Sequence, residues 1–104
     1  MADEEIAQLR EENIRPEVRW FAREMEAKLK GNDHKGGWKD WDLKYLHYRL
    51  QEEFVELTRA INAQYPLPVD VVGEAADVAN FCMMIADKVQ ADAMSNTVSA
   101  MFTE

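Results

Sequence analysis

Two pairs of acids, each with one member standing in an apolar stripe and the other a turn further on, could jointly hold a metal ion: Glu53 and Glu56 in LQEEFVEL, and Glu74 and Asp77 in VVGEAADVANFCMMIADK. Followed in alternating steps of three and four, Leu43, Leu46, Leu50, position 53 and Leu57 share one face of a helix, and position 53 is a glutamate. Residues three apart are neighbours on a helix surface, so Glu56 projects beside Glu53. The second segment repeats the arrangement, with Glu74 in the stripe of Val71, Val78 and Ile85, and Asp77 one turn later. Four half-buried carboxylates in one place repel one another, and ionised groups are costly to bury unpaired. A hard divalent cation with oxygen ligands removes the conflict. Magnesium is expected, with manganese as a substitute, where phosphates supply the remaining ligands.

Two plainer readings compete with this one. A Glu-x-x-Glu pair on a helix is ordinarily a solvated face. Glu74 and Asp77 fit that description poorly, because they are the only acids from Val71 to Ala86 in a stretch otherwise too apolar to face water. A structural salt-bridge network is the other reading, but Arg49 and Arg59 are the only lysines or arginines between Lys44 and Lys88.

The acids need two helices to bring them together. Leu43, Leu46, Leu50, Leu57 and Ile61 mark one, with Asp42 as its N-cap and its end before Tyr65-Pro66-Leu67-Pro68. The next runs from Pro68 or Asp70 to Val89 and is apolar on nearly all sides, which requires neighbours all round. Two helices joined by a short proline-containing turn lie antiparallel, so facing seams bring the four carboxylates together. An earlier helix is expected from Pro16 to Lys30, where Val18, Phe21, Met25 and Leu29 recur at helical spacing. Ile6 and Leu9 suggest a short helix before it. Gly31 to Asp42 reads as a loop with three glycines and two tryptophans. The tail after Lys88 reads as a short helix or a frayed end.

With 104 residues the chain is expected to form one domain over its whole length, of all-α class. Three helices can hardly enclose the third, so the expected architecture is a helical bundle completed by oligomerisation, as a homodimer or homotetramer. A formal net charge of −8 speaks against a polymeric nucleic acid as partner, since backbone binding needs a basic footprint. It leaves room for a nucleotide held through a cation. No apolar run approaches the roughly 18 residues of a membrane span. The opening MADEEIAQLREEN lacks the features of a secretory signal and Cys82 has no intrachain partner, so a cytoplasmic setting is expected.

The pattern Glu53-x-x-Glu56, seventeen residues, then Glu74-x-x-Asp77 resembles the signature of the MazG-like all-alpha nucleoside triphosphate pyrophosphohydrolases. LQEEFVEL, with its doubled Glu52 and Glu53, is similar to that family's first metal helix, and VVGEAADVANFCMMIADK to its second. The likeness covers Leu43 to Lys88 and extends more loosely over FAREMEAKLKGNDHKGGW. It implies magnesium-dependent conversion of a nucleoside triphosphate to the monophosphate and pyrophosphate, in nucleotide-pool house-cleaning. It also implies a dimer or tetramer. Relatives commonly carry Lys or Arg beyond the second metal helix to hold phosphates. Here nothing basic follows Lys88, so Lys28, Lys35, Lys39 and Lys88 are the candidate clamp.

On this reading Glu53, Glu56, Glu74 and Asp77 hold metal. Glu52, beside the seam, orients or deprotonates the attacking water, or else is a solvated glutamate. Asn80, three residues after Asp77, contacts sugar or phosphate, or makes a polar contact between subunits. Trp38 resembles a base-contacting tryptophan of related pyrimidine-triphosphate hydrolases, whereas Trp41 is expected to pack the loop onto the bundle. His34 and His47 read as surface residues, and Cys82 as a core thiol. The competing classes are a non-catalytic helical dimerisation or adaptor module, whose acids bind a basic partner, and a nucleotide sensor without turnover.

Overall fold

The computed structural model describes residues 13–102, and side-chain surroundings as far as residue 96. Among these residues are three α-helices and no strand: α1 (Pro16–Gly31), α2 (Leu43–Ile61) and α3 (Pro68–Phe102), with a 3₁₀ turn at Asp33–Lys35 between α1 and α2. The short helix expected around Ile6 and Leu9 falls outside the described residues.

Local chemistry accounts for the boundaries. Pro16 sits in the first turn of α1, where its missing N–H would have had no intrahelical partner. Asn32 closes the other end, its backbone N–H donating to the Leu29 carbonyl at 3.0 Å and its side-chain amide to the Lys28 carbonyl at 3.1 Å. Asp42 caps α2 as expected, its carboxylate accepting from the Tyr45 backbone N–H at 2.8 Å. Between α1 and α2, Gly36 closes the 3₁₀ turn with a φ of 89°, a conformation that favours glycine.

The third helix departs from expectation in length. It does not stop near Val89 but continues to Phe102. Gln90 to Phe102 contains no proline or glycine, so nothing in the covalent chain ends it, even though its apolar pattern is weak.

α3 packs mainly along α2 and less extensively along α1. Leu46, Phe81 and Met84 form the buried centre, with Leu29, Leu50, Trp38 and Trp41 packed against it. Ala76 is also fully buried. The surround expected for α3 is therefore incomplete in one chain: of its described residues only Ala76, Asn80, Phe81 and Met84 are buried. Cys82, expected as a core thiol, is exposed, because it faces away from the seam that Phe81 and Met84 fill.

Candidate metal centre and adjoining cavity

Glu53 on α2 and Glu74 and Asp77 on α3 converge, each offering one carboxylate oxygen within 4.8 Å of the others. The antiparallel pairing of α2 with α3 brings this about: the two stripes that carry acids in place of apolar residues face each other across one seam. Glu56 stands to the side. It is half exposed and accepts from Arg59 at 3.0 Å, yet it is close enough to act electrostatically on Glu74. Glu52 is also exposed and pairs with Arg49 at 2.7 Å.

The cluster is under electrostatic tension. Burial and then the Asp77 charge hold the Glu53 carboxyl above the usual glutamate range, with Arg49 opposing them. Glu74 is raised for the same two reasons, opposed by Lys28. Two cations therefore share the neutralisation: Arg49 reaches Glu53 at 3.2 Å, and Lys28 reaches Asp77 at 3.5 Å. Sequence spacing could not reveal the second, since Lys28 comes from α1. Three carboxylates against two cations still leave negative charge uncompensated.

Hard oxygen donors of this kind suit magnesium, manganese or calcium. Oxygens about 2.1 Å from one magnesium ion lie no more than about 4.2 Å apart, and the three carboxylate oxygens, all within 4.8 Å of one another, are spaced on that scale. The donor set fits a divalent ion.

A cavity of about 320 Å³ adjoins the cluster, with Glu53 and Asp77 in its wall. Lys28, Lys35 and Arg49 supply positive charge to it, and Trp38, Trp41, Phe81 and Met84 supply planar and apolar surface. Asn80 is almost fully buried there, donating to the Met25 carbonyl at 3.0 Å. A larger hollow of about 490 Å³ runs along α1 past Val18, Ala22 and Glu26, but none of the three clustered carboxylates lines it.

Other expected binding residues have different positions. Lys88 is not part of the cavity wall; its ammonium group donates to the Lys39 backbone carbonyl at 3.3 Å. Lys39 itself donates to Asp87 at 2.7 Å, and the Trp38 indole N–H donates to the same oxygen at 3.0 Å. Asp87 thus ties the loop to α3, and these two donors hold its carboxyl below the usual range. Trp41 packs as expected, edge-on to Tyr45 at 5.2 Å and against the core, while also lining the cavity. His34 and His47 are exposed, as expected.

Sequence reasoning assigned no site role to Arg49 or Asp87. Arg49 is one turn before Glu53, and its 5.1 Å approach to the Phe81 ring places it over the cavity side of the seam. Asp87 gave no signal, because its partners lie 48 and 49 residues away in an irregular loop.

Compared with family models, curated proteins and solved structures, the chain matches none.

Proposed function

We propose that the chain is a divalent-metal-dependent nucleoside triphosphate pyrophosphohydrolase of the MazG-like kind, releasing the nucleoside monophosphate and pyrophosphate. The observation that carries this reading is the convergence of Glu53, Glu74 and Asp77 beside a cavity that has both cationic and aromatic walls. An acidic cluster alone would be weak support. Here the same cavity wall also carries Lys28, Lys35 and Arg49, which suit phosphate oxygens, and Trp38, which suits a base.

Glu53, Glu74 and Asp77 would hold the metal, with Glu56 adding negative charge nearby. Bound there, magnesium would offset phosphate charge and lower the pKa of water. Lys28, Lys35 and Arg49 would meet the phosphate oxygens, and Trp38 would stack on the base. In the reaction, water oxygen bonds to the α-phosphorus and the bond to the bridging oxygen breaks, so that pyrophosphate leaves. Glu52, next to Glu53, would accept the water proton.

Assembly is part of the proposal, as a homodimer or homotetramer. The accessible surface is 8440 Å², against about 6,000 Å² for a compact monomer of 12.0 kDa. The radius of gyration of 17.1 Å likewise exceeds the roughly 13 Å of a compact chain this long. Phe54, Val55 and Ile61 on α2, with Leu67 and Val69 near its turn to α3, are all exposed. A second copy would cover them.

A panel of canonical and damaged nucleoside triphosphates, assayed with magnesium for pyrophosphate release, tests the activity. Release of pyrophosphate with the matching monophosphate is expected. Release of orthophosphate, or no turnover with any member, would refute it.

A further inference from the structure

Arg49 and Lys28 stand on the border between the acidic cluster and the cavity: each lines the cavity, and each pairs with one carboxylate of the cluster. Arg49 Nη2 donates to Glu53 Oε1 at 3.2 Å, and Lys28 Nζ lies 3.5 Å from Asp77 Oδ2. Their side chains remain 31% and 43% exposed, so a molecule in the cavity can reach both. Arg49 is held by more than Glu53. Its Nη1 donates to Glu52 at 2.7 Å, and its Cζ lies 5.1 Å from the centre of the Phe81 ring, which is itself part of the cavity wall. Loss of the Glu53 bond therefore leaves the guanidinium beside the cavity with a donor to spare.

Charge decides what these two cations can do. Three carboxylates against two cations leave the border negative, which repels a phosphate chain. A divalent cation on Glu53, Glu74 and Asp77 reverses that sign, and two of the carboxylates it takes are those that Arg49 and Lys28 now hold. Resting on the nucleotide reading above, we infer that Arg49 and Lys28 exchange partners. Before metal binds they neutralise Glu53 and Asp77; once it is bound they turn to the phosphate oxygens of the substrate, for which a guanidinium fork and an ammonium group are suited. The cavity thus takes the polyphosphate after the metal. The same two side chains that oppose metal binding favour substrate binding.

The signature is a pair of opposite changes in one variant. Arg49→Met and Lys28→Met are titrated by calorimetry on the full chain at pH 8, where the carboxylates are ionised. Magnesium alone is used first, and then, with magnesium saturating, the α,β-methylene analogues of the ribo- and deoxyribonucleoside triphosphates. Removing a cation beside the cluster should tighten magnesium about threefold or more. Removing a charged donor to phosphate should weaken the best-bound analogue about tenfold or more. A residue that only shapes the site would weaken both. If Arg49→Met loses helix content, Lys28→Met decides, since that side chain is more exposed and comes from another helix. Magnesium affinity that is unchanged or weaker in a folded variant, or analogue affinity that is undiminished, would overturn the exchange and leave the nucleotide reading standing. Failure of the wild type to bind magnesium, or any analogue with magnesium, at millimolar concentration would overturn both.

Discussion

A glutamate crowded by other carboxylates destabilises the fold when it ionises, and Glu74 is in that position. Its carboxyl is raised by burial and by Asp77, so the folded state holds the proton more tightly than the unfolded chain does. Stability from this group is therefore present at low pH and falls as pH rises from the ordinary glutamate value of about 4.3 through the raised folded value. In chelator, Glu74→Gln should melt above wild type, with an advantage that grows between pH 4 and pH 7 to a few degrees. Melting curves at four or five pH values check this, and an advantage that shrank with pH would contradict it. Arg49 makes the opposite case. Arg49→Met removes the cation facing Glu53 and should lower metal-free stability, while calcium or magnesium restores much of the loss. At this scale the sequence was informative wherever chemistry departed from period: Glu53 and Glu74 were legible because they interrupt apolar stripes, and Asp77 because it stands one turn from Glu74 in a segment with no other acid. Lys28 beside Asp77 was not legible, because nothing in the spacing of α1 says which turn of α3 it meets.

The loop between α1 and α2 and the last third of the described fold form a working pair of elements. Trp38 and Lys39 both donate to Asp87, and Lys88 donates back to the loop's backbone. Asp87→Ala should leave helix content unchanged and weaken nucleotide binding about three- to tenfold, because the Trp38 face of the cavity loses its anchor. Circular dichroism and a binding titration with the same analogues measure the two effects. Equal affinity in the variant would mean that the loop is held adequately by the packing of Trp38 and Trp41 on the core. Because Lys39 and Trp38 depress the Asp87 pKa, this tie is present above the ordinary aspartate range and fails as pH drops through the lowered value. The bounds of α1 and α2 were legible from Pro16, Asp42 and the YPLP turn, which act locally. The reach of α3 to Phe102 was not, because apolar periodicity marks burial, and the described part of that end, Ala91 to Asn96, is exposed.

As a whole molecule, the chain exposes more surface than a compact domain of its size, and α3 accounts for much of its 61 Å length. Sedimentation at micromolar concentration should find a dimer or tetramer, and replacing Phe54 and Ile61 with lysine should shift it toward monomer. A wild-type monomer would refute that part of the proposal. The incompleteness of the α3 surround was foreseeable from composition, whereas the exposure of Cys82 required knowing which side of the helix α2 fills. Among the described residues no helix is long and apolar enough to cross a membrane. The central claim is that Glu53, Glu74 and Asp77 hold a catalytic metal and are not merely balanced by Arg49 and Lys28. The most direct test compares Glu74→Gln with wild type for melting temperature, with and without magnesium, and for pyrophosphate release in the same preparations. A metal site predicts equal or higher metal-free stability, a reduced magnesium shift, and turnover lower by at least about a hundredfold. Metal-free destabilisation of about 3 to 5 kcal/mol, with turnover and magnesium response near normal, would instead identify a structural ion-pair network.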